Sequence, residues 1–128
     1  MARILIVEDA PDFRLMMREI LRTGGHDVVE AENGFAAIRQ IDGGEFDLLV
    51  TDVLMPKADG IELIRTLARR GRNLPILAVS GGGQNLPAAV SLALTEAAGA
   101  HRTLYKPFRA AELLTAVDQL LAVKAVNG

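Results

Sequence analysis

The sequence has no cysteine and no tryptophan, a single tyrosine and only 4% aromatic residues. Without cysteine there is no disulfide framework, no thiolate zinc site and no cysteine nucleophile. Neither sign of charge dominates: 14 Lys and Arg stand against 16 Asp and Glu, a net charge of -2. That balance argues against a general polyanion binder, so no direct nucleic-acid partner is expected. No apolar run approaches the ~20 residues of a membrane span. The run nearest the start, Ile4-Leu5-Ile6-Val7, is too short for a secretory signal and lacks a cleavage pattern. What is present is 128 residues with 50% hydrophobic content. That is enough for one domain, 1–128, with a substantial core. The expectation is a soluble cytoplasmic protein without membrane insertion.

Short apolar runs alternate with segments of helical period. The runs are Ile4-Leu5-Ile6-Val7, Asp27-Val28-Val29-Glu30-Ala31, Leu48-Leu49-Val50, Ile76-Leu77-Ala78-Val79 and the weaker Thr103-Leu104-Tyr105. Three of the five are continuously apolar, as expected of strands covered on both faces. Between them, Phe13, Met16, Met17, Ile20 and Leu21 form one helical stripe, and Ile61, Ile64, Leu67 and Ala68 another. Leu113, Leu114, Val117, Leu120 and Leu121 form the last. Weaker patterns predict helices over 34–41 and 87–98. Gly24-Gly25, Gly43-Gly44, Gly71 and Gly99 punctuate the helix ends. Strictly alternating strands and helices with short connections imply an α/β fold. Its sheet is parallel, with right-handed crossovers and helices on both faces.

In such a sheet, sites form outside the carboxyl ends of the strands. Glu8 and Asp9 follow the first strand, Asp52 the third, Ser80 the fourth and Lys106 the fifth. Each alone has an ordinary structural explanation. Asp9 and Ser80 sit where helix N-caps belong, Asp52 precedes a turn, Glu8 suits a surface and Lys106 can snorkel. Together they are harder to dismiss, because three acids at one sheet edge repel each other unless a cation joins them. Oxygen ligands without His or Cys select Mg²⁺ or a similar hard ion. A carboxylate beside such an ion can attack a phosphoryl group, with Lys and Ser contributing to its oxygens. The product would be an acyl phosphate.

These motifs are Val7-Glu8-Asp9, Thr51-Asp52-Val53-Leu54-Met55-Pro56 with Asp59-Gly60, Ser80-Gly81 and Lys106-Pro107-Phe108. In this order and spacing the sequence resembles the receiver domain of two-component response regulators, of the chemotaxis-receiver type, from Arg3 to about Val123. The resemblance implies a flavodoxin-like, doubly wound (βα)5 fold with a five-stranded parallel sheet. It implies that Asp52 is the phosphoacceptor and that Glu8 and Asp9 help hold Mg²⁺, together with the backbone carbonyl of Leu54. Ser80 and Lys106 match the phosphoryl-sensing hydroxyl and the phosphoryl-binding Lys. The Lys106-Pro107 bond is a cis candidate. The implied donor is a sensor histidine kinase or a histidine phosphotransfer protein, and the implied output is contact with a downstream protein. Chemistry beyond self-phosphorylation and autodephosphorylation is not expected. A chain that begins with Met and stops soon after its last helix suggests a stand-alone protein.

Three features depart from the family pattern. The residue three before Lys106, usually an aromatic switch, is Thr103, while Tyr105 adjoins Lys106. Strand alternation puts 103 and 105 on the face opposite the Lys106 side chain, so Tyr105 is a candidate partial replacement. Residues 81–86, with three consecutive glycines, lengthen the connection after Ser80 and suggest a loop that moves on phosphorylation. Leu54 is apolar where its side chain would face the phosphoryl group, which implies an altered acyl-phosphate lifetime. His26 and His101 are assigned to surface or loop positions without a specific role. Rival readings are a receiver fold working without phosphorylation, an Asp-nucleophile hydrolase and a flavin binder. A haloacid-dehalogenase-like hydrolase wants its nucleophile after the first strand with a second Asp two residues on. Glu8-Asp9-Ala10-Pro11 supplies neither that pattern nor a flavin phosphate loop.

Overall fold

A computed structural model describes residues 2–53, 59–71, 74–80 and 96–127. Five strands form one sheet: β1 (Arg3–Val7), β2 (Asp27–Ala31), β3 (Leu48–Asp52), β4 (Ile76–Ser80) and β5 (Arg102–Tyr105). All pair in parallel, in the order β2-β1-β3-β4-β5. The three continuously apolar runs are the three central strands. β3 and β4 are buried at every position and β1 at all but Arg3. The two mixed runs are the edges, β2 and β5, which stay partly exposed.

Four described helices cover the sheet: α1 (Pro11–Thr23), α2 (Gly34–Gly43), α3 (Asp59–Arg69) and α4 (Ala110–Asn127). The period-2 alternation of the strands sorts the core into two clusters. Leu5, Val7 and Leu49 point to one face, with Ile41 of α2 and Ile64 and Leu67 of α3. Ile4, Ile6, Leu48 and Val50 point to the other, with Met17 and Leu21 of α1 and Leu113 and Val117 of α4. The sheet is therefore doubly wound, as expected. Each fully buried Leu or Ile contributes roughly 1.5–3 kcal/mol of apolar burial. Of the segment predicted as a helix over 87–98, only 96–98 falls among the described residues, and it is helical.

Local chemistry sets the helix ends. Asn33 caps α2, its side chain accepting from Ala36 N at 2.9 Å. Glu112 accepts from Arg109 N at 2.9 Å at the start of α4, half of a capping box. Gly25 takes φ +89° past the end of α1, a conformation that favours glycine. α1 itself starts on Pro11 after an N-cap, Ala10, that has no side-chain bond. Asp9 therefore does not cap α1, which removes the ordinary explanation for it.

His26 and His101 do have specific roles, contrary to expectation. His26 Nδ1 accepts from Ala2 N at 3.2 Å and His101 Nδ1 accepts from Ile76 N at 3.0 Å. Each precedes an edge strand and ties off the first rung of a central one, at the amino edge of the sheet. His26 is also more enclosed than a surface residue, its side chain 8% exposed with Nε2 3.8 Å from Asp118.

Candidate functional site

The strand order reverses between β1 and β3, and ligand crevices open at the carboxyl edge beside such a reversal. The register brings the ends level there: Val7 pairs with both Ala31 and Thr51, Asp52 with Val79, and Ser80 with Tyr105. Backbone hydrogen bonds continue one rung beyond the strands. Glu8 N donates to Ala31 O at 3.1 Å, Val53 N to Val79 O at 3.0 Å and Lys106 N to Ser80 O at 2.8 Å. Glu8, Asp52, Ser80 and Lys106 are thus placed by the sheet and not by loop conformation.

Glu8, Asp9 and Asp52 each offer a carboxylate oxygen, and these lie within 4.8 Å of one another. Glu8 and Asp52 are buried, whereas Asp9 is exposed. Lys106 reaches into the cluster, its Nζ 3.1 Å from Glu8 Oε1 and 3.4 Å from Asp52 Oδ2. The Lys106-Pro107 bond is cis, as anticipated. Ser80 is fully buried at the end of β4. Tyr105 lies at the exposed margin of β5, and Thr103 is half-buried on the same strand. Leu54 and the loop 81–86 lie outside the described residues.

The electrostatics show that one cation does not balance this cluster. Burial, then the Asp52 charge, then hydrogen bonds with Asp9 and Asp52 push the Glu8 carboxyl up to about 7, against the opposing pull of Lys106. A carboxyl held near neutrality beside two other acids can be relieved by a proton or by a divalent cation. Hard oxygen donors with one exposed member, Asp9, fit an ion such as Mg²⁺ that keeps several waters.

Several residues at this edge were not singled out from sequence. Arg14 Nη1 donates to the Glu8 carbonyl at 2.7 Å and fastens the turn between β1 and α1. Arg14 and Arg18 also meet Glu30 at 3.4 and 3.0 Å, tying α1 to β2. Thr51 Oγ1, fully buried, donates to the Asp52 carbonyl at 3.1 Å. Phe13, read only as part of the α1 core stripe, has its ring centroid 4.0 Å from Lys106 Nζ. Its position four residues past Asp9, in the first turn of α1, is the signal that places it at this edge.

Comparison with known proteins agrees with this geometry. The family model described as "Response regulator receiver domain" matches residues 4–118. The chain is 36% identical over 117 residues to the sensor protein EvgS of Escherichia coli K12, of which it spans only 9%. It is 34% identical to the response regulator receiver protein CpdR of Brucella abortus, covering 94% of this chain and 98% of that protein. Among solved structures, the response regulator TrrA of Thermotoga maritima, in complex with Mg²⁺-BeF, superposes with a TM-score of 0.78 at 28% identity. That match covers 94% of this chain and 99% of TrrA. Sheet order, site geometry and these matches converge, and the chain belongs to the response regulator receiver domain family.

Proposed function

We propose that the chain is the phosphoacceptor receiver of a two-component or phosphorelay pathway, with Asp52 accepting the phosphoryl group. The observation that carries this reading is the meeting of Glu8, Asp9 and Asp52 oxygens within 4.8 Å, with Lys106 Nζ shared between Glu8 and Asp52. The donor is a phosphohistidine on a sensor kinase or phosphotransfer protein. An Asp52 oxygen forms a bond to phosphorus while the P–N bond breaks, and the electron pair and a proton end on the imidazole nitrogen. Asp9 and Asp52, with Glu8 and the Leu54 carbonyl, are the groups to hold Mg²⁺, which supplies neutralisation of phosphoryl charge when bound. TrrA, solved with Mg²⁺-BeF, supports this assignment by similarity. Lys106 Nζ meets one phosphoryl oxygen as a compact charge, and Ser80 Oγ donates to another.

Moving charge onto Asp52 redistributes the hydrogen bonds of Ser80 and Lys106, and through them β5, where Thr103 and Tyr105 are the switch candidates. The output is contact with a downstream protein from the β5–α4 side. Cytoplasmic placement follows from this partnership, and no helix among the described residues is long and apolar enough to cross a membrane.

Incubation with Mg²⁺ and acetyl phosphate, read by intact-mass spectrometry, tests the reading. The wild type gains one phosphoryl group, and both Asp52→Asn and chelation of the metal abolish it. No adduct on the wild type, or an undiminished adduct on Asp52→Asn, would overturn the assignment.

A further inference from the structure

We propose that Phe13 is the positioning residue for Lys106, holding its ammonium at the site through the face of the ring. A Lys side chain is long and flexible, and nothing in its own stem fixes where the ammonium lies. Here Nζ is held from three directions: Glu8 Oε1 at 3.1 Å, Asp52 Oδ2 at 3.4 Å and the Phe13 ring centroid at 4.0 Å. The ring itself is held by Phe108, edge to face, with centroids 5.7 Å apart and planes at 78°. Lys106 and Phe108 flank Pro107, so the segment after β5 grips one ring on α1 from two sides.

The ring contact differs in kind from the two carboxylate contacts. A divalent cation drawn to Glu8, Asp9 and Asp52 competes with Lys106 for the same oxygens. An aromatic face attracts an ammonium without offering a site to a small, strongly hydrated divalent ion. Phe13 is therefore the partner that Lys106 keeps when its carboxylates are engaged elsewhere. Pre-placing the ammonium raises the rate of a reaction that develops charge on a phosphoryl oxygen beside it.

The rate consequence rests on the phosphoacceptor reading, but the contact itself does not, and two measurements separate them. In the metal-free protein, the Lys106 Cε protons over the ring should resonate upfield of the other lysines in a ¹H–¹³C spectrum. Phe13→Leu and Phe13→Met should return them to the ordinary position, while Phe13→Tyr keeps them shifted. With Mg²⁺ and acetyl phosphate, Phe13→Leu should phosphorylate about five- to tenfold more slowly, with Phe13→Tyr restoring the rate, as one cation–π contact implies. Phe108→Leu, which leaves Phe13 in place, should give a smaller change in both. Lys106 resonances unmoved by Phe13→Met in a folded protein overturn the proposal, as does a Phe13→Leu rate equal to wild type. A wild type that takes no phosphoryl group at all would defeat the proposed function and leave the spectral test standing.

Discussion

Gly60 lies against the backbone of Asp52 so closely that a Cβ on it would overlap the Asp52 carbonyl oxygen and come within 2.8 Å of Val53 Cα. The start of α3 therefore rests directly on the end of β3, and only a residue without a side chain allows it. The obstructing atoms are backbone, so no rotamer change can relieve the clash. Gly60→Ala should destabilise the fold by about 3 kcal/mol, as overpacking at a rigid contact does. Where the variant still folds, displacement of Asp52 should weaken Mg²⁺ binding about tenfold. Urea denaturation and calorimetric titration with Mg²⁺ read the two effects, and wild-type values in both would show that the contact gives way freely.

Glu8 supplies a pH dependence with a definite sign. Its carboxyl titrates near 4.5 in an unfolded chain and near 7 in the folded one. Between these values the folded state holds a proton that the unfolded state has released. This contribution is fully present below pH 4.5 and is lost as pH rises through 7. It amounts to on the order of 3 kcal/mol. The metal-free wild type should thus lose stability relative to Glu8→Gln from pH 4.5 to 8, and Mg²⁺ should restore the wild type above pH 7. Paired urea titrations with and without a chelator check this. A constant difference between the two proteins across the range would refute it.

His26 and His101 predict a separation of fold from site. Each accepts a backbone N–H at the start of a central strand, Ala2 N just before β1 and Ile76 N in β4, at the edge opposite the acids. Removing the imidazole leaves Ala2 N or Ile76 N, both in buried residues, without its partner. His26→Ala and His101→Ala should each cost about 1 kcal/mol, with His26 the larger loss because its side chain is also enclosed. Phosphorylation of Asp52 should proceed at the wild-type rate in both. Denaturation midpoints and adduct formation measured on the same samples decide it, and a slowed Asp52 reaction would mean the two edges are coupled.

The contrast between the two edges explains what was legible in the sequence. Glu8, Asp9, Asp52, Ser80 and Lys106 each adjoin an apolar run, so strand ends alone gather them, and a parallel sheet can do nothing else with them. The mixed composition of β2, with Asp27 and Glu30, was visible as well, but its place at the edge of the sheet comes from the strand order. The histidine bonds were not, because an imidazole accepting a backbone N–H across the sheet leaves no periodic trace. Phe13 was hidden differently: its spacing satisfies the α1 stripe whether or not a cation sits on its ring. Gly60 was visible as a motif, but the reason for it lies in a backbone contact that no pattern encodes.

Thr103 is where a family feature and a packing defect coincide. Its Oγ1 is buried and has no hydrogen-bond partner among the described residues. An orphaned buried hydroxyl destabilises the state that contains it by ~1–3 kcal/mol. Valine keeps the β-branched shape that suits β5 and removes the polar atom. Thr103→Val should therefore stabilise the unmodified protein by about 1 kcal/mol, roughly 4 °C in Tm for a chain of this length. If Thr103 takes part in switching, its hydroxyl gains a partner once the acyl phosphate forms, and the advantage of valine disappears. Thermal melts with Mg²⁺, with and without beryllofluoride, separate the cases. A gain confined to the unmodified form makes Thr103 part of the switch. An equal gain in both makes it a passive defect and leaves Tyr105 as the sole candidate on β5.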